Sequence, residues 1–455
     1  MKISSINPAN GQIIKEYSAH SDDEVAKKIH QTHAAWLDWR QTSQEERGRL
    51  LTTMSEILLG KKDEYAKLMA LEMGKPLKQG VAEIEKCAAV CDYYAANGAN
   101  FLKDQLIETD ASKSYVTFQP IGVVLAIMPW NFPFWQVFRF LAPALAAGNC
   151  GVLKHASNVP GCALAIEDVV KEAGFPPHVF QALLINNSQV EKVIENELIK
   201  AVTLTGSNSA GQKVAQKAGS LIKKTVLELG GSDAYVVLED ADIEKAAEIC
   251  VNSRTINSGQ SCIAAKRFIV VKAVEEEYTR LFLEKMSAKK MGDPLQEGID
   301  IGPQARADLR DDLHKQVQAS IAKGAKCILG GEIPDGDGAY YPATILTNAK
   351  PGMPAFDEEM FGPVAAIISA KDEDEAIKLA NQSIFGLGGA VFTKDIERGE
   401  MIAATKLEAG SCFVNTLVKS DPRLPFGGIK QSGYGRELGL FGIHEFVNIK
   451  TVFVP

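Results

Sequence analysis

GVVLAIM (residues 122–128), FWQVFRFLAPALAAG (134–148) and CGVLK (150–154) begin a run in which strand and helix segments alternate. The run continues through GCALAIEDVVKEAG (161–174), FQALLI (180–185), SQVEKVIENE (188–197), AVTLT (201–205) and AGQKVAQKAG (210–219) to TVLEL (225–229). Strand–helix–strand alternation over this length predicts a doubly wound parallel sheet, because parallel neighbours need a crossover and a helix supplies it. A second alternating set extends from AYVVL (234–238) to SCFVN (411–415), with strands at RFIVV (267–271) and PVAAIISA (363–370) and helices at 240–256 and 373–382. The fold class is therefore α/β with two doubly wound domains, meeting near Gly230 and Gly231.

Upstream of this run, residues 22–103 read as amphipathic helices without a strand between them. KSYVTFQPIG (113–122) and the terminal NIKTVFVP (448–455) alternate like exposed strands, able to pair within one chain or between two. The resulting division assigns 1–103 with 121–229 to one domain, 230–440 to a second, and 104–120 with 441–455 to an oligomerisation arm.

The chain of 455 residues carries 57 acidic against 49 Lys and Arg side chains, and no basic block that would suit nucleic acid or an anionic membrane. Its start lacks an apolar core of signal-peptide length, and no apolar run reaches the roughly 18 residues of a membrane helix, so the cytoplasm is expected. Eight cysteines are scattered without a CxxC pair or zinc spacing, which fits a reducing compartment and predicts no metal. Cys87 and Cys91, one helical turn apart, read as core.

Ligands of parallel sheets sit at strand carboxyl ends. AVTLT runs into GSNSAG (206–211), where Gly206 and Ser207 open a helix whose free N–H groups suit a pyrophosphate; a plain glycine-opened helix start is the other reading. Gln212 replaces the lysine that a nucleotide-cleaving phosphate loop requires, and the spacing is not GxGxxG. At other strand ends stand Asn131, an amide that suits either an oxyanion or a turn; Lys154, suited to a ribose, a phosphate or only water; and Glu228, a general base or an idle carboxylate. Cys262 follows the Gly-Gln-Ser turn of NSGQSC (257–262) and is either a nucleophile or a buried apolar side chain. Together, a thiol, a carboxylate, an amide donor and a nucleotide crevice are sufficient to oxidise an aldehyde through a covalent thioester.

PWNFP (129–133), TGS (205–207), ELGGSDAYVVLEDADI (228–243), NSGQSC, EEMFGPV (358–364) and PFGGIKQSGYGRELG (425–439) follow one another in the order and at the separations of the aldehyde dehydrogenase superfamily, which the whole chain resembles. That resemblance implies Cys262 as nucleophile, Glu228 as base for deacylation, and Asn131 with the Cys262 backbone N–H as oxyanion donors. It implies Lys154 on the adenosine ribose, Gly206 and Ser207 on the pyrophosphate side, Glu359 on the nicotinamide ribose, and Trp130 and Phe361 near the cofactor. Glu437 matches an acidic position that assists water in some members.

Within the superfamily, PWNFPFWQVFRF resembles the short bacterial succinate semialdehyde dehydrogenases. The implied substrate site is Arg139, two helical turns after Asn131, with Trp135 and Ser420; a surface or subunit-interface salt bridge is the alternative reading of Arg139. A second arginine of that group, six residues before the nucleophile, is Ile256 here, with Lys419 and Arg423 as possible substitutes. Ala264 occupies the place of a second cysteine, which argues against a local disulfide switch. Ser157, three residues after Lys154, replaces a glutamate that would repel a 2'-phosphate, so NADP is expected with NAD as a second substrate. The expected activity is oxidation of succinate semialdehyde by a cytoplasmic homodimer or homotetramer. The alternative is a broad aldehyde dehydrogenase acting on uncharged or other semialdehyde substrates. A cofactor-free thiol hydrolase would need a histidine near Cys262, and His155, beside Lys154, is the histidine close to a motif. A crystallin-like protein that has lost activity would be expected to have lost one of Cys262, Glu228 and Asn131.

Overall fold

In the computed structural model, which describes residues 2–455, the alternation resolves into two large sheets. The first has six strands in the order Gly433–Tyr434, Lys224–Glu228, Ile199–Thr205, Val123–Met128, Cys150–His155, Phe180–Ala182. Those between residues 123 and 228 are mutually parallel, while Gly433–Tyr434 runs antiparallel with Gly433 opposite Glu228. From Val123–Met128 the chain builds outward through Cys150–His155 and Phe180–Ala182, then returns to the other side at Ile199–Thr205. The strand order thus reverses between Val123–Met128 and Ile199–Thr205, which opens a crevice at their carboxyl ends.

The second sheet has seven strands in the order Lys326–Leu329, Thr344–Thr347, Val364–Ala370, Arg267–Val271, Ala234–Val237, Gly388–Phe392, Ser411–Val414, of which Lys326–Leu329 is antiparallel to its neighbour. Ala234–Val237 and Arg267–Val271 are buried along their whole length, and accordingly read as near-continuous apolar runs.

The two sheets meet carboxyl end to amino end. Glu228 closes a strand of the first, and residues 229–233 lead into Ala234–Val237 of the second. Cys262 precedes Arg267–Val271, and Glu359 and Phe361 precede Val364–Ala370. Gly231 is required at this junction, because a Cβ there would stand 2.8 Å from the Cys262 carbonyl oxygen.

Helices Asp22–Trp39, Gln44–Gly60, Lys62–Met73 and Leu77–Phe101 fill the expected helical region, with Ser21 and Ser43 capping the first two. Cys87 and Cys91 are fully buried in their core, and all eight cysteines are free. A hairpin of Lys2–Ile6 with Ile13–Ser18, turned through Asn7–Gly11, precedes them; the Asn-Pro-Ala-Asn-Gly turn was its signal in the sequence. Val447–Val454 pairs antiparallel with Lys113–Pro120 in the same chain, with Gln105–Leu106 as the third strand.

Candidate active site

The loop before Cys262 is held in an unfavourable shape. Asn257 and Ser258 have φ of 51° and 55° and Gly259 has 75°, a left-handed run that non-glycine residues avoid. Four contacts fix it. Asn257 Nδ2 donates to the carbonyls of Asn131 (2.6 Å) and Gln260 (3.0 Å), Ser258 Oγ accepts from Gly302 N (2.9 Å), and Arg254 donates to the Gly259 carbonyl (2.5 Å). Gly259 also admits no side chain, since a Cβ would lie 2.1 Å from the Gly362 carbonyl oxygen. Behind the loop, buried Lys266 donates to the carbonyls of Ser261 (2.8 Å) and Cys262 (2.6 Å) and lies 3.6 Å from a Glu359 oxygen. Cys262 remains partly exposed. Burial pushes its thiol up to about 12, against the pull of the Arg139 and Lys266 charges.

Asn131 is buried, and its Nδ2 donates to the Gln260 carbonyl at 3.1 Å. An amide nitrogen carries a second N–H, and the Asn131 Oδ1 has no protein partner among the described residues. Glu228 is also buried, with both carboxylate oxygens free of hydrogen bonds among the described residues. Desolvation, reinforced by the Glu437 charge, raises its pKa well above the ordinary carboxylate range, while Arg139 and Arg436 oppose the rise. Its carboxylate faces the PFGG loop, where a Cβ on Gly427 would stand 2.7 Å from Oε1. Glu228 is not among the residues lining the Cys262 cavity.

That cavity, of about 100 Å³, gathers Cys262, Trp135, Arg139, Ile256, Ser420 and Phe426 on its wall. Arg139 is neither a free anchor nor a surface salt bridge. It is buried and forms an internal ion pair with Glu437, donates to Thr205 Oγ1 at 3.3 Å and stacks 4.6 Å from the Phe426 ring centre. Its helix, Trp135–Ala146, begins on Glu83, whose Oε1 accepts from Phe134 N and Trp135 N at 2.9 Å each; Glu83 is itself paired with buried Lys75. Trp135 Nε1 donates to Ser420 Oγ at 3.1 Å. Of the proposed substitutes for the missing arginine, Arg423 turns outward onto Asp421 (2.8 and 2.7 Å) and Lys419 is exposed at the cavity rim. Sequence reading passed over Lys86, which reaches the same Ser420 Oγ at 2.7 Å. Its signal was a charge three residues from Glu83, on the buried side of helix Leu77–Phe101.

The reversal point of the first sheet opens into a cleft of about 520 Å³ lined by Lys154, Asn187, Thr205, Ser207 and Ala210, among others. Lys154 is buried, donates to Asn187 Oδ1 at 2.7 Å, and is drawn down to about 8 by desolvation. A buried cation facing a cleft of this size fits a phosphorylated nucleotide. Ser207 caps helix Asn208–Ser220, its Oγ accepting from Ala210 N at 3.3 Å. Trp130 and Phe361 meet edge to face at 5.7 Å, and Glu359 accepts from Gly231 N at 3.0 Å. Ser157 is exposed and lines the neighbouring cleft against the amino-terminal hairpin, whose wall meets that of the Lys154 cleft at the consecutive residues Asn186 and Asn187. His155 is held neutral, drawn down to about 4 by burial, with Nε2 on the Pro133 carbonyl (2.9 Å) and Nδ1 accepting from Ala156 N (2.9 Å).

The sequence model of the aldehyde dehydrogenase family matches residues 1–452. The chain belongs to the aldehyde dehydrogenase family. This aldehyde dehydrogenase is 50% identical over 454 residues, 100% of both chains, to a probable NADP(+) succinate-semialdehyde dehydrogenase of Synechocystis sp.. It is 46% identical to the NAD(P)+ succinate semialdehyde dehydrogenase of Escherichia coli K12, covering 99% of this chain and 97% of that one. Among solved structures, succinic semialdehyde dehydrogenase from Streptococcus pyogenes, in complex with NADP+, superposes with a TM-score of 0.97 at 37% identity over the full length of both chains.

Proposed function

We propose that this aldehyde dehydrogenase oxidises succinate semialdehyde to succinate, with NADP as the preferred cofactor and NAD as a second. The observation that carries the reading is the Cys262 cavity itself, in which a thiol, the Arg139 guanidinium and the Ser420 hydroxyl are set in a largely apolar wall that encloses room for a short aldehyde. The names of the relatives support the substrate and the cofactor.

In this reading Cys262, partly open to solvent, gives its proton to water and the thiolate adds to the aldehyde carbon, forming the C–S bond as the carbonyl π pair moves to oxygen. The resulting oxyanion accepts from the Cys262 backbone N–H and the second Asn131 N–H. Lys154, Ser207, Glu359, Trp130 and Phe361 would hold the dinucleotide, whose nicotinamide supplies a hydride acceptor when bound. Glu228 then takes a proton from water attacking the thioester, and the C–S bond breaks to return Cys262. Glu437 acts through Arg139 by keeping that guanidinium beside Glu228. A reducing cytoplasm suits a chain whose nucleophile must stay a thiol and whose other cysteines are unpaired. No described helix is long and apolar enough to cross a membrane. The three-stranded arm, with Ile449 and Phe453 exposed, supports assembly into a homodimer or homotetramer.

Reduced-cofactor formation is measured with succinate semialdehyde and butanal, each with NADP and NAD, for wild type and Ser157→Glu. The semialdehyde and NADP are expected to be preferred, and Ser157→Glu to shift preference toward NAD by about tenfold or more. Equal turnover of butanal would replace this reading with a broad-specificity aldehyde dehydrogenase.

A further inference from the structure

We propose that Lys86 holds the charged end of the substrate, a short aldehyde bearing a carboxylate, with the Ser420 hydroxyl beside it; this rests on the substrate reading above. Lys86 projects from helix Leu77–Phe101, its Nζ 2.7 Å from Ser420 Oγ and 4.1 Å from the centre of the Trp135 ring. It lines the Cys262 cavity and also an outer cleft of about 420 Å³, so it stands where the two join.

The argument is one of charge. Among the described residues no carboxylate lies within ion-pair distance of Lys86, whereas Arg139 is met by Glu437 and Arg423 by Asp421. A half-buried ammonium without a carboxylate in contact is costly, and burial together with the Arg139 charge draws Lys86 down to about 8, only partly offset by the more distant Glu83 and Asp421 carboxylates. An entering carboxylate removes that cost. The hydroxyl is prepared for the same ligand: Ser420 Oγ already accepts from Lys86 Nζ and Trp135 Nε1, which leaves its own O–H to donate. At the cavity wall the apolar Ile256 leaves the charge to be supplied from this helix. An ammonium on a flexible stem can follow the carboxylate without the fixed fork of arginine.

The test compares kcat/KM for succinate semialdehyde with that for butanal in wild type, Lys86→Gln, Lys86→Met and Lys86→Arg. Met keeps the packing of the stem on Trp135 and serves as the second neutral variant. The semialdehyde-to-butanal ratio is expected to fall by about tenfold or more in both neutral variants, chiefly through the semialdehyde KM, and to stay within about threefold of wild type in Lys86→Arg. A wild type that prefers the semialdehyde and a neutral variant that keeps the preference would overturn the assignment of Lys86 alone. A wild type without preference would overturn the substrate reading and this assignment with it.

Discussion

Arg139 and Glu437 form a pair whose removal has a calculable cost. Both side chains are almost wholly buried, at 2% and 4% exposure, so neither has water to fall back on. Arg139→Met fills most of the same volume but leaves the Glu437 carboxylate without its cation, a change that costs about 3–5 kcal/mol for a buried pair. Loss of the guanidinium over Phe426 is a smaller contribution, since a desolvated cation–π contact is worth about 2 kcal/mol. Glu437→Gln in the same chain removes the stranded charge, so the double variant is expected to recover about 2–3 kcal/mol of the deficit. Urea titrations of wild type, both single variants and the double variant, followed by tryptophan fluorescence at one protein concentration, give the coupling energy. The sign with pH is also fixed. Without Arg139 the folded-state pKa of Glu437 rises further above the ordinary 4.5, so the folded chain keeps a proton that the unfolded chain releases. The deficit of Arg139→Met relative to wild type should therefore grow as pH rises through the window between the Glu437 folded-state pKa with Arg139 present and the higher one without it, and stay flat below that window. Additive single effects, with a coupling below about 0.5 kcal/mol, would refute the claim that Arg139 is committed to Glu437.

Two further outcomes follow from the buried titratable groups. Glu228 has a raised pKa, so between the ordinary 4.5 and its folded-state value each rise in pH costs the folded state stability; Glu228→Gln is expected to stabilise by about 1 kcal/mol at neutral pH, with a gain that vanishes near pH 4.5 in thermal melts. A Glu228→Gln protein less stable than wild type at pH 7.5 would contradict this. For Cys262, a thiol pushed up to about 12 predicts that iodoacetamide labelling in the cofactor-free protein rises about tenfold per pH unit from pH 7 to 9. A plateau near pH 8, read by mass spectrometry of the labelled peptide, would show that the site already holds a thiolate.

Much of this was legible in the chain. The strand–helix alternation from residue 122 onward set the α/β class, because strands and crossover helices leave different apolar periods. Cys262, Asn131 and Glu228 could be singled out because each lies in a turn or strand end within three residues of a glycine or proline, where backbone geometry is locally encoded. The rule of strand carboxyl ends led to Asn131, Lys154, Gly206 and Glu228 but not to Cys262, Glu359 or Phe361, which precede strands of the second sheet. Those amino ends matter only because the two sheets face each other, and sequence periodicity carries no information about how sheets are docked.

Charge partnership was the part that required the fold. Arg139 and Glu437 are almost three hundred positions apart, and nothing local in either segment announces that one will neutralise the other. Likewise Lys86, Trp135 and Ser420 come from a helix of the amino-terminal region, a helix of the first sheet and a loop near the carboxyl terminus, and meet at one hydroxyl. Local steric and hydrophobic preferences act between near neighbours, so the sequence by itself determined most of the elements and the family, and singled out Cys262. Whether a buried cation is spent on a partner or left for a ligand depends on long-range packing and on the dielectric that packing creates, and only the tertiary structure decided that.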